Sequence, residues 1–182
     1  MLPETISERL VDIARKAIEC MFTQKEVELN EDFLDEKRGV FVTLTKNGEL
    51  RGCIGFPEPV FPLGEGIRKA AVSAAFGDPR FPPVSEDELK EIKIEVSVLT
   101  LPEEITVADP QDYLEFIRIG RDGLMIEMDG QSGLFLPQVP LEWNWDVNEY
   151  LEQLCLKAGL SPDSWLSPDA KLYKFESQIF SE

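Results

Sequence analysis

Apolar and polar residues alternate most strictly at Ile92-Lys93-Ile94-Glu95-Val96-Ser97-Val98-Leu99, the period of a strand with one buried face. Ile92, Ile94, Val96 and Val98 are expected inward, with Lys93, Glu95 and Ser97 outward. A hairpin is expected over 39–56, where Asn47-Gly48 divides two apolar runs and both residues accept the positive φ of a type I′ turn. A two-residue loop sets the register, so Leu44 should face Arg51, Val42 should face Cys53 and Phe41 should face Ile54. Further strands are expected at Leu124–Met128 and Leu134–Leu136 around Asp129-Gly130, and at Lys171–Ser177.

Helical periodicity appears in four places. Residues 5–21 place Ile6, Leu10, Ile13, Ala14, Ala17, Ile18 and Met21 on one face, behind a capping box of Thr5 and Glu8. Leu63–Phe76 turns Ile67, Ala70, Ala71, Ala74 and Ala75 inward and stops at Gly77. Asp109-Pro110 begins a helix to about Ile117. Asp146 and Glu149 cap another, ending near Gly159, with Val147, Tyr150, Leu151, Leu154, Cys155 and Ala158 inward. Residues 23–38 are charged and aperiodic, a surface loop. Strands and helices mix without regular βαβ alternation. The fold class expected is therefore α+β, a mainly antiparallel sheet with flanking helices, in one domain over 1–182.

Candidate chemistry collects at Leu50-Arg51-Gly52-Cys53-Ile54-Gly55. Strand alternation places Arg51 and Cys53 on one face, and a guanidinium beside a thiol favours the thiolate. Gly52 and Gly55 lack a β-carbon, so a ligand or a second backbone can come close. The competing reading makes Cys53 a small buried hydrophobe and sends Arg51 to a surface carboxylate. The rigid stretch Asp78-Pro79-Arg80-Phe81-Pro82-Pro83 is the second candidate, with Asp78 pairing Arg80 or capping a nearby backbone. Glu95 would meet Arg51 if the outer face of its strand adjoined that of the hairpin.

Charge and composition narrow the classes. A formal charge of −17 repels phosphate backbones and anionic lipid, so neither nucleic acid nor membrane is an expected partner. The chain has no histidine, which excludes Ser-His-Asp and Cys-His machinery and His-ligated zinc. Three unevenly spaced cysteines and no glycosylation sequon suit a reducing, cytoplasmic setting. No metal or cofactor is called for by any motif.

The runs Gly39-Val40-Phe41-Val42-Thr43-Leu44 and Leu50 to Gly55 closely resemble the AMMECR domain family. The resemblance continues through Asp78 to Pro83, Glu95 to Leu99, Gly123-Leu124, Leu136-Pro137-Gln138-Val139 and Lys157-Ala158-Gly159-Leu160, covering about residues 5–178. Pro140 departs from the pattern, standing where a small residue is expected. The resemblance implies a stand-alone prokaryotic, archaeal member: an α+β fold in two unequal lobes, with a cleft near the 39–56 hairpin. It implies partnership with a Memo-like protein and a radical S-adenosylmethionine protein. Carried over by residue, it makes Arg51, Gly52, Asp78, Arg80 and Gln138 ligand-binding candidates and Cys53 a catalytic one.

Two functions follow. One is a binding or accessory component that meets a partner through an exposed aromatic patch, with Trp143 and Trp145 as its candidates. The other is an enzyme with Cys53 as nucleophile and Arg51 as anion-binding and thiol-activating group.

Overall fold

The computed structural model describes residues 2–23 and 28–182, so part of the expected charged loop over 23–38 lies outside the described residues. The described strands are Val40–Lys46 (β1), Glu49–Phe56 (β2), Ile92–Leu99 (β3), Glu103–Glu104 (β4), Gly123–Met128 (β5), Gln131–Phe135 (β6), Lys171–Phe175 (β7) and Ser177–Ser181 (β8). The described α-helices are Ser7–Thr23 (α1), Leu63–Phe76 (α2), Glu86–Leu89 (α3), Tyr113–Phe116 (α4), Val139–Trp143 (α5) and Val147–Lys157 (α6). The fold is α+β. Its strands divide between two sheets, ordered β2-β1-β3-β8 and β4-β7-β5-β6. The chain correspondingly forms two units, one of residues 1–100 with 178–182, the other of 101–177. None of the described helices is long and apolar enough to cross a membrane.

In the first unit α1 and α2 cover one face of the sheet. Val40, Val42 and Leu44 of β1 and Ile94, Val96 and Val98 of β3 point into that layer, where they meet Leu10, Ile13 and Ile18 of α1 and Leu63 and Ile67 of α2. A fully buried Leu or Ile contributes about 2 kcal/mol, so these few positions carry much of the unit's stability. The alanines of α2 let it lie almost on the strands: a β-carbon on Gly52 would come 2.3 Å from the Ala74 carbonyl oxygen. Alternation in β3 follows the sequence pattern. Met21 departs from its expected face and is exposed, because it lies in the last turn of α1. The Thr5–Glu8 capping box is also absent; the chain enters α1 through a 3-10 turn at Glu4–Ile6 that follows Pro3.

The hairpin register differs from the expected one by a residue. Asn47 and Gly48 take the positive φ values of the turn, and Lys46 pairs with Glu49 and Thr45 with Leu50. A bulge then skips Arg51, so Leu44 pairs with Gly52, Thr43 with Cys53, Val42 with Ile54 and Phe41 with Gly55. One extra residue on one strand moves every later partner by one. Cys53 therefore opposes Thr43, not Val42.

The second unit packs α6 against β5 and β6. Leu124, Ile126 and Leu172 from the sheet meet Tyr150, Leu151, Leu154 and Cys155 from α6, with Trp165 beside them. Asp146 and Glu149 form both halves of the expected capping box. Asp129 and Gly130 make the β5–β6 turn with positive φ. The strand expected over Lys171–Ser177 ends at Phe175, and a further strand not expected from the sequence follows it. Lys171–Phe175 belongs to this sheet, and Ser177–Ser181 joins the sheet of the first unit.

Candidate functional site

The bulge decides the geometry of the Arg51–Cys53 stretch. Arg51 Nε donates to Glu88 Oε1 at 2.7 Å, and Nη2 donates to Glu88 Oε2 at 3.0 Å and to the Pro82 carbonyl at 2.8 Å. Only 11% of the Arg51 side chain and 19% of that of Glu88 remain exposed. The hydrogen bond and charge of Arg51 lower the Glu88 carboxyl pKa, against the opposing effect of burial. Arg51 Nη1 is buried without a hydrogen-bond partner among the described residues. The expected meeting of Arg51 with Glu95 does not occur; Glu95 lies across from Thr43 in the β1–β3 ladder, while Arg51 is taken by α3.

Cys53 is held by its backbone as much as by its side chain. Its amide donates to Asp78 Oδ2 at 2.9 Å, and its carbonyl accepts from Arg80 Nη2 at 3.2 Å. Together Asp78 and Arg80 give Cys53 the acceptor and donor that a neighbouring strand would supply, which closes the open edge of β2 at this residue. The residue is partly buried, and the Thr43 hydroxyl donates to its sulfur at 3.3 Å.

Asp78 both pairs with Arg80 and caps backbone. Its carboxylate accepts from Arg80 Nε at 2.9 Å, Arg80 Nη2 at 2.7 Å and the Arg80 amide at 3.1 Å. The Arg80 guanidinium holds the Asp78 carboxyl well below the usual carboxylate range, with the Cys53 and Arg80 amides adding to it and burial opposing. Asp78 raises the Arg80 pKa in turn, and the Cys53 sulfur contributes in the same direction to a lesser degree. The loop from Asp78 to Val84 is thus fastened along its length: Pro82 to Arg51, and the Val84 amide to the Ala75 carbonyl. Phe81 lies near both guanidiniums, 5.8 Å from that of Arg51 and 5.6 Å from that of Arg80.

Five of the six candidates therefore come together: Arg51, Gly52, Cys53, Asp78 and Arg80. Gly52 serves the close approach of α2. Gln138 belongs to the second unit, exposed at the N-cap of α5, where its carbonyl accepts from the Leu141 and Glu142 amides. Glu88 is the partner that sequence reasoning missed. Its one local signal is its place three residues after Ser85, whose side chain accepts from the Glu88 amide, and nothing local points its carboxylate at Arg51.

A different arrangement surrounds α5. Trp143 is 67% exposed and stacks on Trp145, with ring centres 6.0 Å apart and planes 16° apart. Trp145 meets Phe135 edge-on at 5.5 Å, and Lys157 Nζ lies 4.2 Å over the Phe135 ring. Leu141, also exposed, leans on Gly120. Asn144 takes a left-handed conformation that ends α5 and sets the two indoles side by side. Pro140, the departure from the expected pattern, is buried in the first turn of α5, where a missing amide costs nothing.

Residues 11–180 match the AMMECR1 family model. The chain belongs to the AMMECR1 family. Its relatives include a protein of Methanopyrus kandleri, 55% identical over 96% of this chain and 87% of that one, and a protein of Methanocaldococcus jannaschii, 54% identical over 94% and 88%. The crystal structure of an uncharacterized protein from Pyrococcus horikoshii is similar throughout: 49% identity, TM-score 0.81, and coverage of 100% of this chain and 93% of that one. Archaeal AMMECR1 relatives thus share both the sequence and the α+β architecture.

Proposed function

We propose that this AMMECR1-family chain is a binding, accessory component that recognises a partner protein through the α5 corner. The observation that carries the reading is the exposure of Trp143, stacked on Trp145 and flanked by exposed Leu141. Indoles supply large contact area at low entropic cost and dominate binding hot spots. The Cys53 corner supports this division of labour by being internally committed. The guanidinium meant to activate the thiol is neutralised by Glu88, and the one beside the Cys53 carbonyl is neutralised by Asp78. An anionic substrate would compete with Glu88 for Arg51, and at half-exposed Arg80 it would meet a charge already balanced by Asp78.

The first partners to try are a Memo-like protein and a radical S-adenosylmethionine protein of the same organism. Full-length chain immobilised at fixed density should retain one of them. Trp143→Ala should abolish that retention without altering the melting temperature. Retention that survives both Trp143→Ala and Trp145→Ala removes the α5 corner from the account.

The alternative is a thiol enzyme in which Cys53 attacks an electrophile, and its support is that Cys53 is only partly buried. Cys20 is also half-buried and provides an internal reference. A nucleophilic Cys53 would take up iodoacetamide at pH 7 much faster than Cys20. Equal or slower labelling is the outcome the binding reading requires.

A further inference from the structure

The aromatic side chains near α5 form a row with two unequal ends. At one end Lys157 places its ammonium 4.2 Å over Phe135. Phe135 touches Trp145, Trp145 stacks on Trp143, and beyond Trp143 lies solvent. A π face attracts a cation, indole most strongly, and a guanidinium or ammonium is therefore the natural cover for the remaining face.

Local charge points the same way. Between Asp122 and Lys157 the sequence contains no lysine or arginine, and Arg121, beside the Gly120 that Leu141 touches, is already paired with Asp122. Asp146 and Glu149 are engaged in the α6 cap and Glu152 with Asn148, so Glu142 is the acid near the two indoles in sequence that faces a partner. Glu142 sits on α5 itself, exposed, with no opposite charge on that helix. A second copy of this chain, at a net −17, would bring more acid to an acidic face. A basic segment would bring complementary charge.

We infer that the outer face of Trp143 receives an arginine or lysine side chain from a basic, flexible segment of a partner protein, with the exposed Glu142 carboxylate of α5 meeting its charge. This names the chemistry of the partner and rests on the reading of the α5 corner as a binding surface. The cation stacks on the indole, and Leu141 offers an apolar contact to the stem of the same side chain.

The test uses the full chain and two synthetic peptides: acetylated tetra-arginine amide, and the same peptide with citrulline at every position, which keeps the planar head and removes the charge. Titration at near-physiological salt is read by calorimetry and by the indole N–H resonances of the three tryptophans. The arginine peptide should bind, shift the Trp143 resonance more than that of buried Trp165, and lose roughly tenfold in affinity with Trp143→Ala, with Trp143→Phe in between. The citrulline peptide should bind far more weakly. Equal binding of the arginine peptide to wild type and Trp143→Ala would mean attraction to the overall charge alone and overturns the inference. So does equal binding of the two peptides, or sedimentation showing a dimer that Trp143→Ala dissociates. Partner capture that depends on Trp143 while the arginine peptide fails would sink the cation inference and leave the binding surface. Partner capture indifferent to Trp143 would sink the binding surface itself.

Discussion

The β2 corner of the first unit and the α5 corner of the second dispose of their side chains in opposite ways. At β2 the residues with the most conspicuous chemistry are turned to each other: Arg51 to Glu88, Arg80 to Asp78, and the Cys53 sulfur to the Thr43 hydroxyl. At α5 two indoles, which ordinarily fill cores, stack at the surface and leave one face open. A buried ion pair is costly to break and adds little by being present, which suits a fastening. An exposed aromatic face costs the free protein solubility, and that suits a surface which is covered in use. Reactive residue types therefore mark the place where the molecule is held together. Unreactive ones mark the place where it is open.

The comparison breaks most readily at Gly52. A methyl there has no room beside the Ala74 carbonyl, so Gly52→Ala must push α2 off the sheet and should cost about 3 kcal/mol in urea unfolding. A loss under about 0.5 kcal/mol would show that the close approach is not needed. Arg51→Ala comes next. It leaves Glu88 in a largely closed site with Lys46, 3.7 Å away, as its remaining cation and frees the Pro82 carbonyl, for an expected loss of about 2 kcal/mol, discounted from the fully buried case by that second partner and the remaining exposure. If Arg51 instead served a ligand alone, this variant would unfold at the wild-type urea concentration.

Asp78 gives a prediction in pH. Its carboxyl pKa is depressed in the folded chain, so its contribution is present above the unfolded value of about 3.9 and is lost as pH falls from there through the lower folded value. Asp78→Asn should lower stability near neutral pH by roughly 1–3 kcal/mol, because the Arg80 guanidinium loses its countercharge and the Cys53 amide a charged acceptor. The same variant should flatten the acid limb of the stability curve. An acid limb parallel to that of the wild type would place the depressed carboxyl elsewhere. The smallest effect expected on stability is at α5, where Trp143→Ala should stay within about 0.5 kcal/mol of wild type, since so little of the ring is buried. A larger loss would make Trp143 part of the core and bring the two corners together in character.

Much of the first unit was legible beforehand. Leu63–Phe76 and Ile92–Leu99 have the bounds that periodicity gives, because each presents one apolar face to one layer. The two turns with positive φ, at Asn47-Gly48 and Asp129-Gly130, were readable for a local reason: few residue pairs adopt that conformation. What escaped was set at a distance. The bulge at Arg51 follows from Glu88 and Pro82 drawing that side chain out of the ladder, and neither lies near it in sequence. Ser177–Ser181 begins where the expected strand stops yet joins the other sheet, a choice made by tertiary pairing with no local mark. Helix α5 is short and carries Pro140, so periodicity assigns no element to Pro137 through Trp145, although proline in a first turn is itself a usable signal. The candidate residues were legible as a group. Their roles were not, since a role depends on which partner reaches each charge.

The division between the two corners is tested most directly by one binding titration. Wild type, Cys53→Ser and Trp143→Ala are each titrated into the proposed partner, a Memo-like protein, under identical salt and pH. The account predicts equal affinity for wild type and Cys53→Ser and loss of binding for Trp143→Ala. Loss with Cys53→Ser and retention with Trp143→Ala would contradict it and return the function to the thiol.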